Sequence, residues 1–263
     1  MPSVPRRLPG ARRAAAAVPA AVSAIVSAIA LAACAALTAG PARAIVGGAE
    51  APAGGAVMVL TANGGVCTGV VLAPETVLTA GHCVAGASDL RVHFRDASGQ
   101  PVLVEVAARA VHPGYDAGAA AGRRRSIDLA LLRTATALPP RFSPETLSAA
   151  MPRAGESLTL SGYGAAKAGD PRSTGTFRGV AVPVVEPYGP SRILVWLRGA
   201  PGIGGCQGDS GGPVTGPDGA VVAVAAWIGG ACGGLTQGVL VGPQRAWIDR
   251  TLAGWDRTAR WDG

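Results

Sequence analysis

Gly208-Asp209-Ser210-Gly211-Gly212-Pro213 sets one serine between an acid and a pair of glycines. A serine hydroxyl is a poor nucleophile at neutral pH. It needs a base to take its proton and a carboxylate to orient that base. Two upstream segments offer both: Thr79-Ala80-Gly81-His82-Cys83 and Ser126-Ile127-Asp128-Leu129-Ala130. Alone, the glycine-rich stretch would read as a β-turn with an incidental serine, His82 as a fragment of a metal site, and Asp128 as a loop cap. Together they give a nucleophile, a base and an orienting carboxylate in the chain order His, Asp, Ser.

These segments resemble the three active-site motifs of the chymotrypsin-like (trypsin family) serine proteases. The resemblance runs from Ile45 to about Leu252. It includes Val111-His112-Pro113-Gly114-Tyr115, Gly162-Tyr163-Gly164 where the family usually has Gly-Trp-Gly, and Trp227. It implies an all-β fold of two antiparallel β-barrels, about 45–145 and about 155–253, with the site in the cleft between them. His82 and Asp128 would come from the first barrel and Ser210 from the second. Ser210 would attack the scissile carbonyl, His82 act as base and then acid, and Asp128 orient the imidazole. The N–H groups of Gly208 and Ser210 would form the oxyanion hole. The implied activity is a serine endopeptidase without cofactor or metal, acting on proteins or peptides as a monomer. The rival is a non-catalytic binding protein on the same fold; such proteins usually lose a triad residue, and this chain retains all three.

The first 44 of the 263 residues read as a secretory signal peptide, leaving 45–263 as the protease domain. Arg6, Arg7, Arg12 and Arg13 form a basic start, Ala14 to Ala39 is almost continuously apolar, and Ala42-Arg43-Ala44 is a small-x-small cleavage site. An uncleaved anchor is the competing reading. Five of the 23 basic residues lie in this leader and none of the 16 acids does, so 18 basic residues remain, a net charge of +2 rather than +7. The basicity belongs to the export signal and argues for no nucleic-acid partner. Leu31-Ala32-Ala33-Cys34 also has the form of a lipoprotein box. A secreted product is therefore expected, with no membrane association after cleavage unless Cys34 is lipidated.

Downstream, short apolar runs broken by Gly and Pro read as strands: Val57–Leu60, Gly69–Leu72, Thr76–Ala80, Leu90–Phe94 and Val102–Val106, then Ser157–Ser161, Val180–Val185, Ile193–Leu197, Val221–Trp227 and Gly238–Val241. Period two is not clean in Val102–Val106. Thr134 to Arg153, with four prolines, reads as a connection between halves. Pro243 to Ala253 reads as a short C-terminal helix. Of the five cysteines, Cys67, Cys83, Cys206 and Cys232 follow the leader. An exported chain should oxidise them into two disulfides, and four cysteines allow three connectivities. The family resemblance implies Cys67–Cys83 and Cys206–Cys232. Zinc is disfavoured because no CxxC or histidine cluster accompanies them. His93 reads as a strand residue, His112 as a loop residue, and Arg123-Arg124-Arg125 as a solvated loop.

The resemblance also implies that a freed Ile45 amine, at the head of Ile45-Val46-Gly47-Gly48, pairs with Asp209. Family precursors are usually cut after a basic residue, but Ala44 precedes Ile45 here, so signal-peptide cleavage would itself expose Ile45. Gly204, six residues before Ser210, stands where the primary specificity residue usually lies. Gly205 follows it, Gly238 is expected to line the same pocket, and Ile228, next to Trp227, should narrow its mouth. No acid is present there to pair with Arg or Lys. The expected preference is for small or medium apolar residues, with an aromatic preference second. Ala226 stands where a serine usually supports the triad aspartate, and Gly81 where alanine is commoner.

Overall fold

The computed structural model describes residues 45–122 and 124–262. Residues 1–44, on which the expected signal peptide and Cys34 fall, and Arg123 lie outside the described residues. The chain forms β1 (Ala49–Glu50), β2 (Ala56–Thr61), β3 (Val66–Ala73), β4 (Thr76–Thr79), β5 (Leu90–Arg95), β6 (Pro101–Val111) and, after a single turn of helix α1 (Ala119–Gly122), β7 (Ala130–Thr134). Strands β2 to β7 close a barrel in the order β2-β3-β4-β7-β6-β5, with every pairing antiparallel.

The second half holds β8 (Thr146–Ser148), β9 (Ser157–Gly162), β10 (Arg178–Val185), β11 (Leu194–Leu197), β12 (Pro213–Thr215), β13 (Val221–Gly229), β14 (Leu235–Leu240), α2 (Arg245–Ala253) and β15 (Arg260–Asp262). The ring β9-β10-β11-β14-β13-β12 closes through Val214, which pairs with Leu160 on one side while β12 pairs with β13 on the other. This is the all-β, two-barrel architecture with a short C-terminal helix that the motifs imply.

Burial explains why the strand patterns are mixed. On β7, Ala130 and Leu132 fill the first barrel, while Leu131 on the opposite face and Leu129 just before the strand join Val221, Val224, Ile248 and Leu252 from the second half. On β3, Val71 points into the barrel while Val70 and Leu72 join that same cluster between the halves. Strands covered on both faces lose polar alternation. Strand β6 shows the opposite case. Val102, Val104 and Val106 pack inward and Leu103 is 58% exposed, so the unclear alternation is a true period of two with one apolar residue facing solvent.

The connection between the halves is not free of structure. Within it, β8 pairs in parallel with β13 through Leu147, and with β15 through all three of its residues. The sequence offered no strand at β12 or β15; three-residue strands carry too little period to be read. Helix α2 matches the C-terminal segment, with Ile248 and Leu252 buried one turn apart on one face. His112 lies in the loop just after β6, as read, but is buried there: its ring lies 4.7 Å from Trp247, its Nδ1 accepts from the Gly114 N–H, and burial lowers its pKa.

Candidate active site

Strand β4 ends at Thr79, and the chain then makes a 3-10 turn, Gly81–Cys83, that carries His82. The Cys67–Cys83 disulfide ties this turn back to β3. Asp128 lies just before β7, which is hydrogen-bonded to β4. Its Oδ2 accepts from His82 Nδ1 at 2.7 Å and its Oδ1 from the His82 backbone N–H at 2.8 Å. One carboxylate thus fixes both the ring and the main chain of the histidine. With Nδ1–H donated, Nε2 is left as the acceptor. The Tyr115 phenol sits near Asp128, and burial together with the Asp128 and Asp116 carboxylates raises its pKa. Arg124, from the triple-arginine loop, is exposed and pairs with Asp116 through Nε and Nη2.

Ser210 lies in a turn whose glycines are required by geometry. Gly208 and Gly211 have φ of 99° and 84°, and a Cβ on Gly211 would fall 2.0 Å from the Thr68 carbonyl oxygen. The Ser210 carbonyl accepts from the Thr68 N–H at 2.8 Å and lies 3.9 Å from Cys83 Sγ, which brings the serine beside the histidine turn. Among the described residues no hydrogen bond joins Ser210 Oγ to His82, whose Nε2 lies 3.6 Å from Cys83 Sγ. Such bonds are often long in ligand-free sites and tighten on substrate binding. The N–H groups of Gly208 and Ser210 have no acceptor among the described residues. His82, Cys67 and Cys83 lie within 4.8 Å of one another, but both sulfurs are in the disulfide and offer no thiolate to a metal.

Asp209 is buried beneath this turn. Its Oδ1 accepts from the Gly164 N–H and its Oδ2 from the Cys206 N–H, both at 2.8 Å. Burial pushes its pKa up to about 7 in spite of these two donors. Ile45 is fully buried, and Val46 bridges to Gly204. In the full chain Ile45 follows Ala44 through a peptide bond, so its nitrogen carries no charge.

Beside Ser210 is a narrow, shallow slot lined by Gly205, Ala226, Trp227, Ile228 and Thr236. Thr236 takes the place expected for Gly238. A Cβ on Gly238 would face Val195 and Ala223, and one on Gly204 would face Gly233 and Gly234, so both glycines lie away from the slot lining. Thr236 Oγ1 accepts from the Gly205 N–H at 3.3 Å. Among the described residues that line the slot Asp209 is the only acid, and its carboxylate is turned away beneath the serine turn, against Gly164 and the Cys206 N–H. Outside the slot, the half-exposed Trp227 ring continues edge-on into Trp196, at 6.1 Å, which in turn meets Tyr188. The Cys206–Cys232 disulfide ties the chain before the serine turn to the loop between β13 and β14.

The family model described as Trypsin matches residues 45–248. The chain belongs to the trypsin family of serine proteases. Among similar curated proteins, trypsin zeta of Drosophila melanogaster is 31% identical over 218 residues, covering 72% of this chain and 74% of its own length. Mouse kallikrein-8 is 27% identical over 179 residues, covering 64% and 68%. The fold matches neuropsin, a serine protease expressed in the limbic system of mouse brain, with a TM-score of 0.67 at 23% identity over 78% of this chain and 99% of neuropsin. As a member of the trypsin family, this chain is a serine endopeptidase.

Sequence reasoning passed over three residues at the site. Thr236 gave no signal beyond ordinary strand composition, and Tyr115 reads only as part of Val111-His112-Pro113-Gly114-Tyr115, with no role at the site. Thr68, between Cys67 and Gly69, looked like one more strand residue. Among the described residues, no helix is long and apolar enough to cross a membrane.

Proposed function

We propose that this trypsin-family protein is exported, is activated by loss of its leader, and cleaves peptide bonds after small or medium apolar residues. In this reading Ser210 Oγ attacks the scissile carbonyl carbon while His82 Nε2 takes its proton. The carbonyl oxygen becomes an oxyanion held by the Gly208 and Ser210 N–H groups. The C–N bond then breaks as His82 returns the proton to the leaving amine. Water, activated by the same imidazole, hydrolyses the acyl-serine and regenerates the hydroxyl. Asp128 holds the ring and stabilises the imidazolium.

The observation that carries this reading is the pair of hydrogen bonds from His82 to Asp128 beside a turn in which the Gly208 and Ser210 N–H groups have no acceptor among the described residues. The narrow slot supports the preference. A Cβ on Gly205 would already touch Thr236 and Ile228 at 3.1 and 3.3 Å, and both oxygens of its only acid are engaged by backbone donors. An arginine or lysine entering it would meet no free carboxylate. The aromatic strip beside it offers neighbouring substrate residues an apolar surface.

Burial of Asp209 supports activation at Ile45. A carboxylate has lone pairs left after two N–H bonds, and a buried charge requires a partner. Cleavage after Ala44 would supply an ammonium at a residue that is already buried. Export rests on the basic, apolar and small-x-small order of residues 1–44.

The test is a cleavage profile against a diverse peptide library, with N-terminal sequencing of the secreted protein and Ser210→Ala as control. Cleavage after Ala, Val, Leu or Met, lost in Ser210→Ala, with Ile45 as the first residue, is the expected result. Strong cleavage after arginine would refute the specificity, and any other first residue would refute the activation step.

A further inference from the structure

Five consecutive carbonyls run through the serine turn, and each has a donor. Cys206 O accepts from the Asp209 N–H, Gln207 O from the Ala165 N–H, Asp209 O from the Gly212 N–H, and Ser210 O from the Thr68 N–H, all between 2.8 and 3.1 Å. Gly208 O is the only one served by a side chain: Thr68 Oγ1 donates to it at 2.8 Å. The same hydroxyl accepts from the Tyr163 N–H at 2.9 Å. The Thr68 carbonyl accepts in turn from Thr79 Oγ1 at 2.7 Å. Every polar group of this fully buried residue is therefore used, and two of its bonds reach the main chain on either side of Asp209.

We propose that Thr68 is a positioning residue for oxyanion stabilisation, its hydroxyl locking the Gly208 peptide from across the cleft. The inference rests on the reading of Gly208 and Ser210 as oxyanion donors. The physical case has three parts. Gly208 has φ of 99° and no side chain, so sterics alone hold its peptide weakly. Pinning its carbonyl fixes ψ at Gly208, one of the four backbone torsions, φ and ψ of Gly208 and Asp209, that set the Gly208 and Ser210 N–H groups relative to each other. The pin also comes from β3, which carries the disulfide to the His82 turn, so it registers the nucleophile turn of one barrel on the histidine of the other. Oxyanion donors act only when they already point where charge develops, and small displacements cost rate rather than substrate binding. Without the hydroxyl, Gly208 O and the Tyr163 N–H are both left unpaired in a buried site, which favours rotation of the glycine peptide.

The test uses enzyme expressed from the full chain and purified in its active form. Thr68→Val keeps the shape and removes the donor. It should lower kcat about tenfold or more with KM within about twofold, and weaken a peptide aldehyde, which forms a tetrahedral adduct, by a similar factor. Binding of the cleaved peptide product, which forms no adduct, should not change. Thr68→Ser should restore kcat to within about threefold. If Thr68→Val does not fold, Thr68→Ser against Thr68→Ala isolates the hydroxyl in the same measurements. A purely structural role would lower the melting temperature and leave kcat and aldehyde affinity of the folded fraction intact, and that outcome overturns the proposal. Activity surviving in Ser210→Ala would instead remove the reading beneath it. Loss in Ser210→Ala with a wild-type kcat in Thr68→Val would overturn the Thr68 role alone.

Discussion

The Asp209 carboxylate is seated against Gly164. The Gly164 N–H donates to Oδ1 at 2.8 Å, and a Cβ on Gly164 would come within 2.5 Å of both the carboxyl carbon and Oδ1. Gly162 closes the other side, where a Cβ would fall 2.4 Å from Oδ1. The two glycines that flank Tyr163 are therefore a mould for a buried carboxylate. Gly164→Ala should displace Asp209 and, with it, the serine turn of which it is part. We expect a loss of about 2–3 kcal/mol in denaturant unfolding, typical of overpacking, and at least a tenfold slower reaction of Ser210 with a phosphonylating reagent. A wild-type rate would show that the carboxylate can shift without moving the turn.

Burial raises the Asp209 pKa from 3.8 to about 7 in the chain with no free amine at Ile45. Between those values the folded protein holds a proton that the unfolded chain has released. Stability therefore falls as pH rises from about 4 to about 7, at up to about 1.4 kcal/mol per pH unit, and changes little from this group outside that window. Unfolding of the uncleaved Ser210→Ala protein across this range, set against Ser210→Ala with Asp209→Asn, should isolate the slope. The same comparison on protein beginning at Ile45 should show it reduced, because an ammonium beside Asp209 favours the ionised form. An unchanged slope after cleavage would mean that the amine and carboxylate do not meet.

The slot beside Ser210 gives a prediction of selectivity. Ile228 and Thr236 close on Gly205, so removing the larger of the two should open it. Ile228→Gly should raise kcat/KM for substrates with Phe or Tyr before the scissile bond about tenfold, and lower it for Ala substrates, since each methylene of pocket contact is worth about 1–3 kcal/mol. An unaltered profile would assign selectivity to residues outside the slot.

The motifs around His82, Asp128 and Ser210 were legible because catalysis demands particular residue types at fixed positions. The two disulfides join the cysteines that the family resemblance pairs, Cys67 with Cys83 and Cys206 with Cys232. The residues that support the site were not legible. Thr68 sits in Val66-Cys67-Thr68-Gly69-Val70, where a β-branched residue is what any strand prefers, and only the approach of a second barrel gives its hydroxyl two partners. Thr236 lines the slot opposite Ile228, just past the place where β13 shifts register against β14 between Ala225 and Trp227, and a local irregularity of that kind leaves no mark in composition. Barrel strands such as β3 and β7 read as continuous apolar runs because each serves two cores, a fact of packing that no single window contains.

The C-terminal tail lies beyond the Trypsin match and acts as a strap. After α2, Trp255, Ala259 and Trp261 pack on the cluster between the halves, and β15 adds in parallel to β8. The Trp261 Nε1–H donates to Asp249 Oδ1 at 2.9 Å, and the Arg245 guanidinium lies 4.9 Å from its ring centre. Arg257 Nε reaches Glu75, in the turn between β3 and β4 of the first barrel, at 2.8 Å. The apolar contacts should outweigh this partly exposed ion pair, because such pairs contribute little in water. Truncation after Gly254 removes two partly buried tryptophans and should cost on the order of 3 kcal/mol in unfolding. Trp261→Ala should cost roughly half of that, and Arg257→Gln much less. None of these residues touches His82 or Ser210, so kcat of the folded fraction at low temperature should stay within about twofold of wild type. A truncated protein of unchanged stability would show the strap to be dispensable, and one with normal stability but low kcat would mean that the tail reaches the site through the first barrel.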